Sequence, residues 1–597
     1  MTIYLYPGCH TLLFCTLVGE ELRNDHSRFA SDHDSAMFHL LLFFTSAISQ
    51  IFKPHDAVVD TGYARYLGNR SYSNTISYLG VPYAEPPLGE LRFRKAVPLN
   101  TTRLQEEQKG IYDATHYPDF CIQGGRDGLA GGAGMEDCLK VNVYTPVGAS
   151  RGTNLPVLVF LHGGGYIFGN PHNFPFDNWI HQSPNVVIVS VYYRLNSLGF
   201  LTHPEFTSSN IGDVNAGFFD QIEALRWIQK YIDQFGGNPE QVTIMGHSAG
   251  ASSVELHLVA RLEEMGRPNG ALFSKAIAQS AYRVPLPTLE QQVPLFDFYS
   301  SAAGCEDGSV SEKMTCLRNV PVDALARAQD LAITPAFDGA YNIFRPVVDG
   351  KIIRDYPTKL IMNGEFLDVP LLIGATSNET SINEMPAAEG LKFLFPTLEE
   401  EDIQEFLRVY PRDDFTSDSQ HFQVMTGESV FICSVPLIAS AFSRRQNNVW
   451  TYRYNQPNPT KGSSAVAHSA ESWMMFGGTN TGNNGTSIFT PLSPTDKLFS
   501  EELISYWLSF VRTGNPNSFK QARSPYWEKY TTEPLETHYQ VPMTETDVLP
   551  RRRMVLQKDA NGDDTASPIS GCFLEREPEN EGNRCTFVGT KVGKEQN

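Results

Sequence analysis

Four runs of apolar residues, each as long as a β-strand, are spaced along the middle of the chain. They cover residues 156–161, 186–191, 241–245 and 369–373. Their apolar positions are continuous rather than alternating, which is typical of strands buried on both faces of a parallel sheet. Between the second and third runs, residues 218–235 carry apolar side chains at helical spacing. This order predicts an α/β fold with a large, mostly parallel central sheet and helices on both faces.

A short apolar stretch, residues 37–49, lies near the amino terminus. It begins with a methionine and ends in Ala-Ile-Ser, which places small residues where a signal peptidase reads them. The stretch is too short for a membrane helix, and no run of about 18 apolar residues occurs in the chain. A core helix or strand is the alternative interpretation, and residues 11–18 are a weaker candidate for a signal sequence.

We therefore expect residues 37–49 to be a signal peptide and Gln50 to be the mature start. Residues 1–36 would then be a non-native N-terminal extension. Residues 50–597 would form a single domain, since one large α/β domain with insertions can fill a length that would otherwise suggest about four domains.

The composition of the 597-residue chain is that of a folded protein, with 41% hydrophobic and 19% charged residues. These values exclude a disordered or fibrous chain. The formal charge is −20, from 47 basic and 67 acidic residues. An acidic surface of this kind repels phosphate backbones, so we do not expect a nucleic acid as a partner. It also disfavours docking on anionic lipid.

The cysteines and glycosylation sequons agree with secretion. Seven of the nine cysteines lie beyond residue 49, enough for three disulfides and one free thiol. The sequence contains no CxxC pair and no Cys/His cluster that would indicate a metal site. Four sequons support secretion weakly, at Asn69, Asn100, Asn378 and Asn484. We expect an extracellular glycoprotein with Asn378 unmodified.

The third apolar run ends in the segment Gly246-His247-Ser248-Ala249-Gly250, and a helix-compatible run follows. A serine between two glycines at this spacing can occupy a sharp turn between a strand and a helix, with its hydroxyl held clear of the sheet. The same GxSxG pattern surrounds Ser150, but that segment lies between prolines and no helix follows it. The context predicts Ser248, not Ser150, as a nucleophile.

Three adjacent glycines follow the first apolar run, in the segment His162-Gly163-Gly164-Gly165-Tyr166. Glycines leave backbone N–H groups uncovered, and acyl transfer passes through an oxyanion that needs about two or three such donors. A flexible glycine turn is the alternative, but it does not explain why the segment lies between a strand and a nucleophile turn. We expect the N–H groups of Gly164, Gly165 and Ala249 to form an oxyanion hole.

Further motifs occur in order along residues 55–550. They include Gly-Val-Pro-Tyr-Ala-Glu-Pro-Pro at 80–87, Glu-Asp-Cys-Leu at 136–139, Pro-Val-Val-Asp-Gly at 346–350 and Arg-Thr-Gly-Asn-Pro-Asn at 512–517. With the two glycine segments, they make the chain resemble the type-B carboxylesterase/lipase family, the cholinesterase-like α/β-hydrolases. Its C-terminal end is most similar to secreted fungal members. The resemblance implies an α/β-hydrolase fold and hydrolysis of carboxylic esters.

The resemblance also implies the acid and the base of a catalytic triad. The acid loop of the family places a glutamate five residues after a glycine, which here is Glu379. The family usually has glycine after this residue, and Thr380 departs from the pattern. The segment Ala-His-Ser-Ala-Glu at 467–471 is similar to the family's histidine segment and implies His468 as the base. His421 and His538 lack this context.

For the disulfides, the resemblance implies Cys121 with Cys138 and Cys305 with Cys316. Cys572 with Cys585 is a third, less certain pair, which would leave Cys433 free and buried. In lipases of this family, the loop closed by the first of these disulfides is a long amphipathic flap that covers the active site. Here it has 16 residues, six of them glycine, and too few large apolar side chains for a helical apolar stripe.

The expected function is hydrolysis of soluble short- to medium-chain esters through an acyl-enzyme, with a small-molecule substrate and no metal or cofactor. An interfacial lipase or sterol esterase is the alternative. A catalytically inactive, cholinesterase-like binding protein is a more remote one, because all three candidate triad residues are present.

Overall fold

Each of the four apolar runs forms a strand of one sheet, as predicted. The strands are Leu155–Leu161, Val187–Val191, Gly237–His247 and Leu371–Thr376. Along the first of them, Val157 and Val159 pack into one core cluster, while Leu158 and Phe160 pack into a second. The apolar sequence is continuous because both faces of the strand are buried.

The computed structural model describes residues 57–107, 110–125, 133–261, 272–380, 385–445, 448–481, 486–532, 551–559 and 569–597. Ala57–Asn597 is one compact unit. The signal peptide and extension predicted for residues 1–49, and the sequon at Asn484, lie outside the described residues.

Within the described residues, fifteen strands form a 13-stranded sheet and a separate hairpin. They are β1 Val58–Asp60, β2 Arg65–Tyr72, β3 Thr75–Pro82, β4 Tyr112–Ala114, β5 Lys140–Pro146, β6 Leu155–Leu161, β7 Val187–Val191, β8 Gly237–His247, β9 Lys275–Gln279, β10 Leu371–Thr376, β11 Val449–Tyr454, β12 Thr479–Thr481, β13 Ser487–Phe489, β14 Arg552–Leu556 and β15 Phe573–Arg576.

The strand order is β1-β2-β3-β5-β7-β6-β8-β9-β10-β11-β14-β15, with β4 beside β2. The seven strands from β7 to β14 in this order are parallel, and the flanking pairs in the path are antiparallel. Strands β12 and β13 pair only with each other. A parallel centre requires crossovers, and these carry the helices.

The α-helices are Thr101–Glu107, Asp177–Gln182, Asn196–Phe200, Phe206–Ser209, Ala216–Tyr231, Ala249–Val259, Val293–Ala302, Val310–Asn319, Val322–Ala332, Pro357–Met362, Ala387–Leu394, Glu400–Val409, Asp418–Gly427, Ser434–Arg444, Ala470–Met475, Pro494–Thr513 and Glu579–Glu595. The helix predicted within 218–235 is Ala216–Tyr231, continued by a 3-10 turn. It packs into the first core cluster, and Pro494–Thr513 packs into the second, so helices cover both faces of the sheet.

One helical segment, Asp418–Arg444, has the length and apolar composition that a membrane crossing requires. Of its apolar 18-residue stretch, 83% is buried inside the protein, as in a core helix. The segment contains a π-helical turn, Glu428–Ile432, between two α-helices.

The described residues contain three disulfides, and one of them corrects the sequence prediction. Cys121 pairs with Cys138 and Cys305 with Cys316, as expected. Cys585, however, pairs with Cys433 rather than with Cys572, which is a free, buried thiol. Strand β15 separates Cys572 from the C-terminal helix, so the two cysteines that are close in sequence enter different core clusters.

The same pairing explains a cluster of possible metal ligands. Within the described ranges, Glu428, Cys433 and Cys585 place ligand atoms within 4.8 Å of one another. Both sulfurs belong to the disulfide, and the Glu428 carboxylate pairs with Arg584. The cluster therefore has no thiolate to offer a metal.

The Cys433–Cys585 disulfide closes a long loop, and we expect it to stabilise the fold. Removing it in the double variant Cys433→Ala/Cys585→Ala should lower the melting temperature by several degrees, because a loop of 152 residues is worth up to about 5 kcal/mol in the chain-entropy treatment. Calorimetry measures the shift, and Cys572→Ala, which removes no cross-link, is the control. A non-reduced peptide map that joins Cys572 to Cys585 would contradict the assignment.

Candidate active site

Ser248 occupies a sharp turn between strand β8 and the helix Ala249–Val259. Its backbone has φ 56° and ψ −124°, a conformation that is costly for a residue with a side chain. Its amide donates to the carbonyl of Gln279 at the end of the neighbouring strand β9, at 2.9 Å. The turn therefore holds the hydroxyl at the carboxyl edge of the sheet, as the GxSxG context predicts.

The glycines around this turn are required by close backbone packing. A Cβ atom at Gly246 would overlap the carbonyl oxygen of Gly250, and one at Gly250 would overlap that of Leu161. The other GxSxG segment lacks this setting: Ser150 is exposed, and its amide and carbonyl bond to the Thr153 hydroxyl in a surface turn.

His468 joins Ser248 to Glu379. Its Nε2 lies 2.8 Å from Ser248 Oγ, and its Nδ1 lies 2.5 Å from Glu379 Oε2. A carboxylate only accepts, so Nδ1 carries the proton and Nε2 is free to accept the serine proton. The three residues come from the ends of β8 and β10 and from the loop after β11, and they form one hydrogen-bonded line.

The Glu379 carboxylate is buried, and both of its oxygens accept hydrogen bonds. Its other oxygen, Oε1, accepts from the Ser280 hydroxyl at 2.6 Å and from the Thr376 amide at 2.7 Å. These bonds fix the orientation of the carboxylate. Thr380, where the family usually has glycine, donates through its hydroxyl to the carbonyl of Gln423 at 2.8 Å. The threonine therefore links the acid loop to the helix Asp418–Gly427 by a hydrogen bond.

The glycine segment after β6 faces the serine. Gly163 packs against His247 and Ser248 so closely that a Cβ would lie 2.5 Å from the His247 carbonyl oxygen. Gly164 has φ +116°, and a Cβ there would overlap the carbonyl of Phe168. Within the described ranges, the amides of Gly164, Gly165 and Ala249 donate to no protein acceptor. Three free N–H groups thus lie beside the serine.

Two further histidines border the site and remain neutral. Burial lowers the pKa of His162 to about 4, and its Nδ1 donates to the Gly163 carbonyl at 2.9 Å. Burial also holds the pKa of His247 well below its usual value, with a smaller contribution from His468. The ring of His247 stacks on that of His468 at 5.1 Å. Both histidines are packing groups rather than proton carriers at neutral pH.

The other side of the His468 ring packs against Phe431, at a centroid distance of 4.4 Å. Phe431 lies in the π-helical turn, whose altered hydrogen bonding leaves carbonyl groups available. Arg283 uses them: its amide donates to Val430 at 2.8 Å, and its guanidinium donates to Ser429 at 2.6 Å. Arg283 is also paired with Glu595 of the C-terminal helix, so the wall behind His468 is rigidly supported.

A second carboxyl group, Glu471, lies one helical turn beyond His468. It is buried, and neither of its oxygens has a partner among the described residues. Burial, together with the nearby Glu379, raises the pKa of Glu471 to about 8. At neutral pH Glu471 is therefore uncharged.

Of the predicted site residues, Ser248, His468 and Glu379 form one hydrogen-bonded line. The glycine segment that contains Gly164 and Gly165 packs against Ser248 through Gly163. Ser280, Phe431 and Arg283 were not predicted from the sequence. Ser280 and Phe431 reach the site from segments far away in the sequence, and no local motif marks them. Glu471 lies in the quoted histidine segment, but its burial is visible only in three dimensions.

Known proteins resemble this chain over most of its length. Residues 55–548 match the Carboxylesterase family. Pyrethroid hydrolase Ces2e of Rattus norvegicus is 30% identical over 536 residues, covering 83% of this chain and 88% of the relative. Acetylcholinesterase of Electrophorus electricus is 30% identical over 514 residues, covering 74% and 77%.

A solved structure extends the comparison to the fold. The crystal structure of Aspergillus niger EstA superimposes with a TM-score of 0.75 at 28% identity, over 91% of this chain and 99% of that one. The family match covers most of the chain, and the sheet carries helices on both faces. The chain therefore belongs to the carboxylesterase family and is a carboxylic ester hydrolase with the α/β-hydrolase fold.

Proposed function

We propose that the protein hydrolyses soluble short- to medium-chain carboxylic esters through a Ser248–His468–Glu379 triad. The observation that carries the proposal is the hydrogen-bonded line of these three side chains, with 2.8 Å and 2.5 Å contacts, beside three free backbone amides. A nucleophile, a base, an acid and an oxyanion site together are the complement that acyl transfer requires.

In the proposed mechanism, Ser248 Oγ attacks the ester carbonyl while His468 Nε2 accepts its proton. Glu379 holds the Nδ1–H tautomer and stabilises the imidazolium. The N–H groups of Gly164, Gly165 and Ala249 stabilise the oxyanion, and each such donor is typically worth about 3 kcal/mol. His468 then protonates the leaving alcohol. Water, activated by the same histidine, releases the acid and restores the serine.

The preference for soluble esters rests on the loop closed by Cys121 and Cys138. Of its three apolar side chains larger than alanine, Ile122 is buried in the core and Met135 is exposed. Leu129 lies outside the described residues. One exposed methionine offers little surface to bury in lipid. The alternative, an interfacial lipase, is favoured by Ile488 and Phe489, which are exposed on strand β13.

We further propose an extracellular protein whose mature chain, residues 50–597, is a single domain. The three disulfides are compatible with an oxidising compartment. Asn69 and Asn100 are exposed and accessible to a glycan. Asn378 is partly buried and accepts a hydrogen bond from the Val466 amide at 3.1 Å, which supports the expectation that it is unmodified.

The nucleophile assignment predicts a contrast between two serines. Ser248→Ala should reduce kcat on p-nitrophenyl butyrate by at least about 10⁴-fold, because no group remains to form the acyl-enzyme. Ser150→Ala should leave kcat near that of the wild type, since Ser150 lies in a surface turn. Burst release of p-nitrophenol from the wild type, absent in Ser248→Ala, checks the acyl-enzyme. Equal losses in both variants would refute the assignment.

The substrate preference predicts simple saturation kinetics. Rates on p-nitrophenyl esters of increasing chain length should be highest for short to medium acyl chains. The rate should not jump at the solubility limit, because the disulfide loop cannot expose an apolar flap. Tributyrin measured across its solubility limit provides the test. A sharp rise once droplets form would favour the lipase alternative, and Ile488→Ser/Phe489→Ser would show whether β13 is responsible.

The raised pKa of Glu471 predicts a pH-dependent stability difference. In the unfolded chain this carboxyl ionises above about 4.5, whereas in the folded protein it holds its proton up to about 8. The folded state therefore loses stability as the pH rises between these values. Glu471→Gln removes this loss, so its melting temperature should exceed that of the wild type by a few degrees at pH 8 and by less at pH 5. Calorimetry at both pH values measures the difference, and an equal difference at both would contradict it.

A further inference from the structure

The peptide that carries the Gly165 amide is oriented by a turn within the glycine segment. The carbonyl of Gly164 accepts hydrogen bonds from the amides of Ile167 and Phe168, at 3.0 and 3.1 Å. In a planar trans peptide, the carbonyl and the N–H of the next residue point in opposite directions. The direction of the Gly164 carbonyl therefore sets the direction of the Gly165 N–H, one of the three free amides beside Ser248.

This turn has a backbone conformation that needs support from outside. Gly164, Gly165 and Tyr166 have φ values of 116°, 64° and 64°, so three consecutive residues lie in the left-handed region. Glycine loses much conformational freedom when it is fixed, and a positive φ is strained for tyrosine. Gly169, at the end of the segment, has φ 136°. Such a segment keeps one shape only where neighbouring groups hold it.

Gln123 holds the end of this turn. Its side chain is fully buried, and it lies two residues after Cys121. Its Oε1 accepts from the Gly169 amide at 2.5 Å, and its Nε2 donates to the Cys121 carbonyl at 2.6 Å. Because both ends of the side-chain amide are bonded, its orientation is fixed. The next residue, Gly124, donates its amide to the Ile167 carbonyl at 2.8 Å, so this loop holds the turn on both sides of residue 168.

A second contact comes from the helix Asn196–Phe200. The Asn196 amide donates to the Tyr166 carbonyl at 2.7 Å. Gln329 joins the two contacts, because its Nε2 donates to the Gln123 carbonyl at 3.1 Å and its Oε1 accepts from Ser197 Oγ at 2.7 Å. Groups outside the oxyanion segment therefore hold it from residue 166 to residue 169.

We propose that Gln123 is a positioning residue for ester hydrolysis, which holds the amides of Gly164 and Gly165 in the direction that the oxyanion requires. It acts through Gly169 and the turn, and it does not touch the substrate. The inference rests on the proposed function, because it needs the oxyanion site beside Ser248. Donors fixed before the reaction need no reorganisation when charge develops on the ester oxygen. Since the oxyanion forms only during the reaction, losing this support lowers kcat more than it weakens substrate binding.

Two substitutions separate the hydrogen bond of Gln123 from its volume. Gln123→Met fills nearly the same space but leaves the Gly169 amide without its acceptor. We expect kcat on p-nitrophenyl butyrate to fall at least tenfold, with KM within threefold of the wild type. Gln123→Glu keeps an accepting oxygen, and a buried glutamic acid keeps its proton, so it can make both bonds. It should retain kcat within threefold of the wild type at pH 7.

A tetrahedral adduct measures the oxyanion site directly. With trifluoromethyl pentyl ketone, Ser248 Oγ bonds to the carbonyl carbon, the π electrons move onto oxygen as an oxyanion, and the serine proton passes to His468. This adduct needs the same amides as the reaction. Its inhibition constant should rise at least tenfold in Gln123→Met and stay within threefold of the wild type in Gln123→Glu. A glutamine with a purely structural role would lower stability without moving kcat and this constant together.

Gln229 provides a matched control at the other edge of the sheet. Its Nε2 donates to the carbonyls of Pro239 and Leu272, both at 2.8 Å, near the starts of β8 and β9. It joins two backbone segments as Gln123 does, but away from the strand ends that carry the site. Gln229→Met should leave kcat per active site and the inhibition constant within twofold of the wild type, whatever its melting temperature. Active sites are counted by titration to completion with a fluorophosphonate.

The outcomes separate this inference from the function on which it rests. An unchanged kcat in Gln123→Met, a rise in KM as large as the fall in kcat, or equal losses in Gln123→Met and Gln123→Glu would overturn the role of Gln123. A wild type that hydrolyses no p-nitrophenyl ester would instead refute the proposed function.

A third substitution decides if Gln123→Met does not fold. Gln123→Asn keeps the polar amide but is one carbon too short to reach the Gly169 amide. The proposal then requires kcat at least fivefold lower than in the wild type, with KM within threefold, and any other result overturns it.

Discussion

The close packing of backbone at the end of β8 is the constraint on which the active site depends. Ser248 can hold its strained backbone only because Gly246 and Gly250 let the strand, the turn and the following helix touch directly. Gly250 also abuts the carbonyl of Leu161, and Gly163 abuts His247. The same contacts that fix the serine therefore place the oxyanion segment beside it, and any side chain at these glycines would separate the two.

The parallel sheet brings the remaining groups to that point. Strands β8, β10 and β11 run in the same direction, so the loops after them meet at one edge. The acid and histidine loops also bond to each other, through the Asn378 amide and the Val466 carbonyl at 3.0 Å. This bond sets the separation of Glu379 and His468 independently of any substrate, so little reorganisation is needed when charge develops on the imidazole.

Support for the site extends to the C-terminal helix. Arg283 satisfies the carbonyls of the π-helical turn and pairs with Glu595, while the Cys433–Cys585 disulfide fastens the same helix to the segment after that turn. Phe431 is thereby held against His468.

The sequence by itself determined the features that depend on neighbouring residues. Continuous apolar runs identified four strands of the parallel centre of the sheet. Glycine spacing identified the Ser248 turn and the oxyanion segment, because strand burial and tight turns place local demands on residue type. Family resemblance, not local pattern, pointed to Glu379 and His468. Only the tertiary structure decided that Cys433 pairs with Cys585 and that Ser280 and Phe431 support the triad. These depend on segments as far apart as 152 residues in sequence, whose contact is set by how helices and strands pack and not by any local preference.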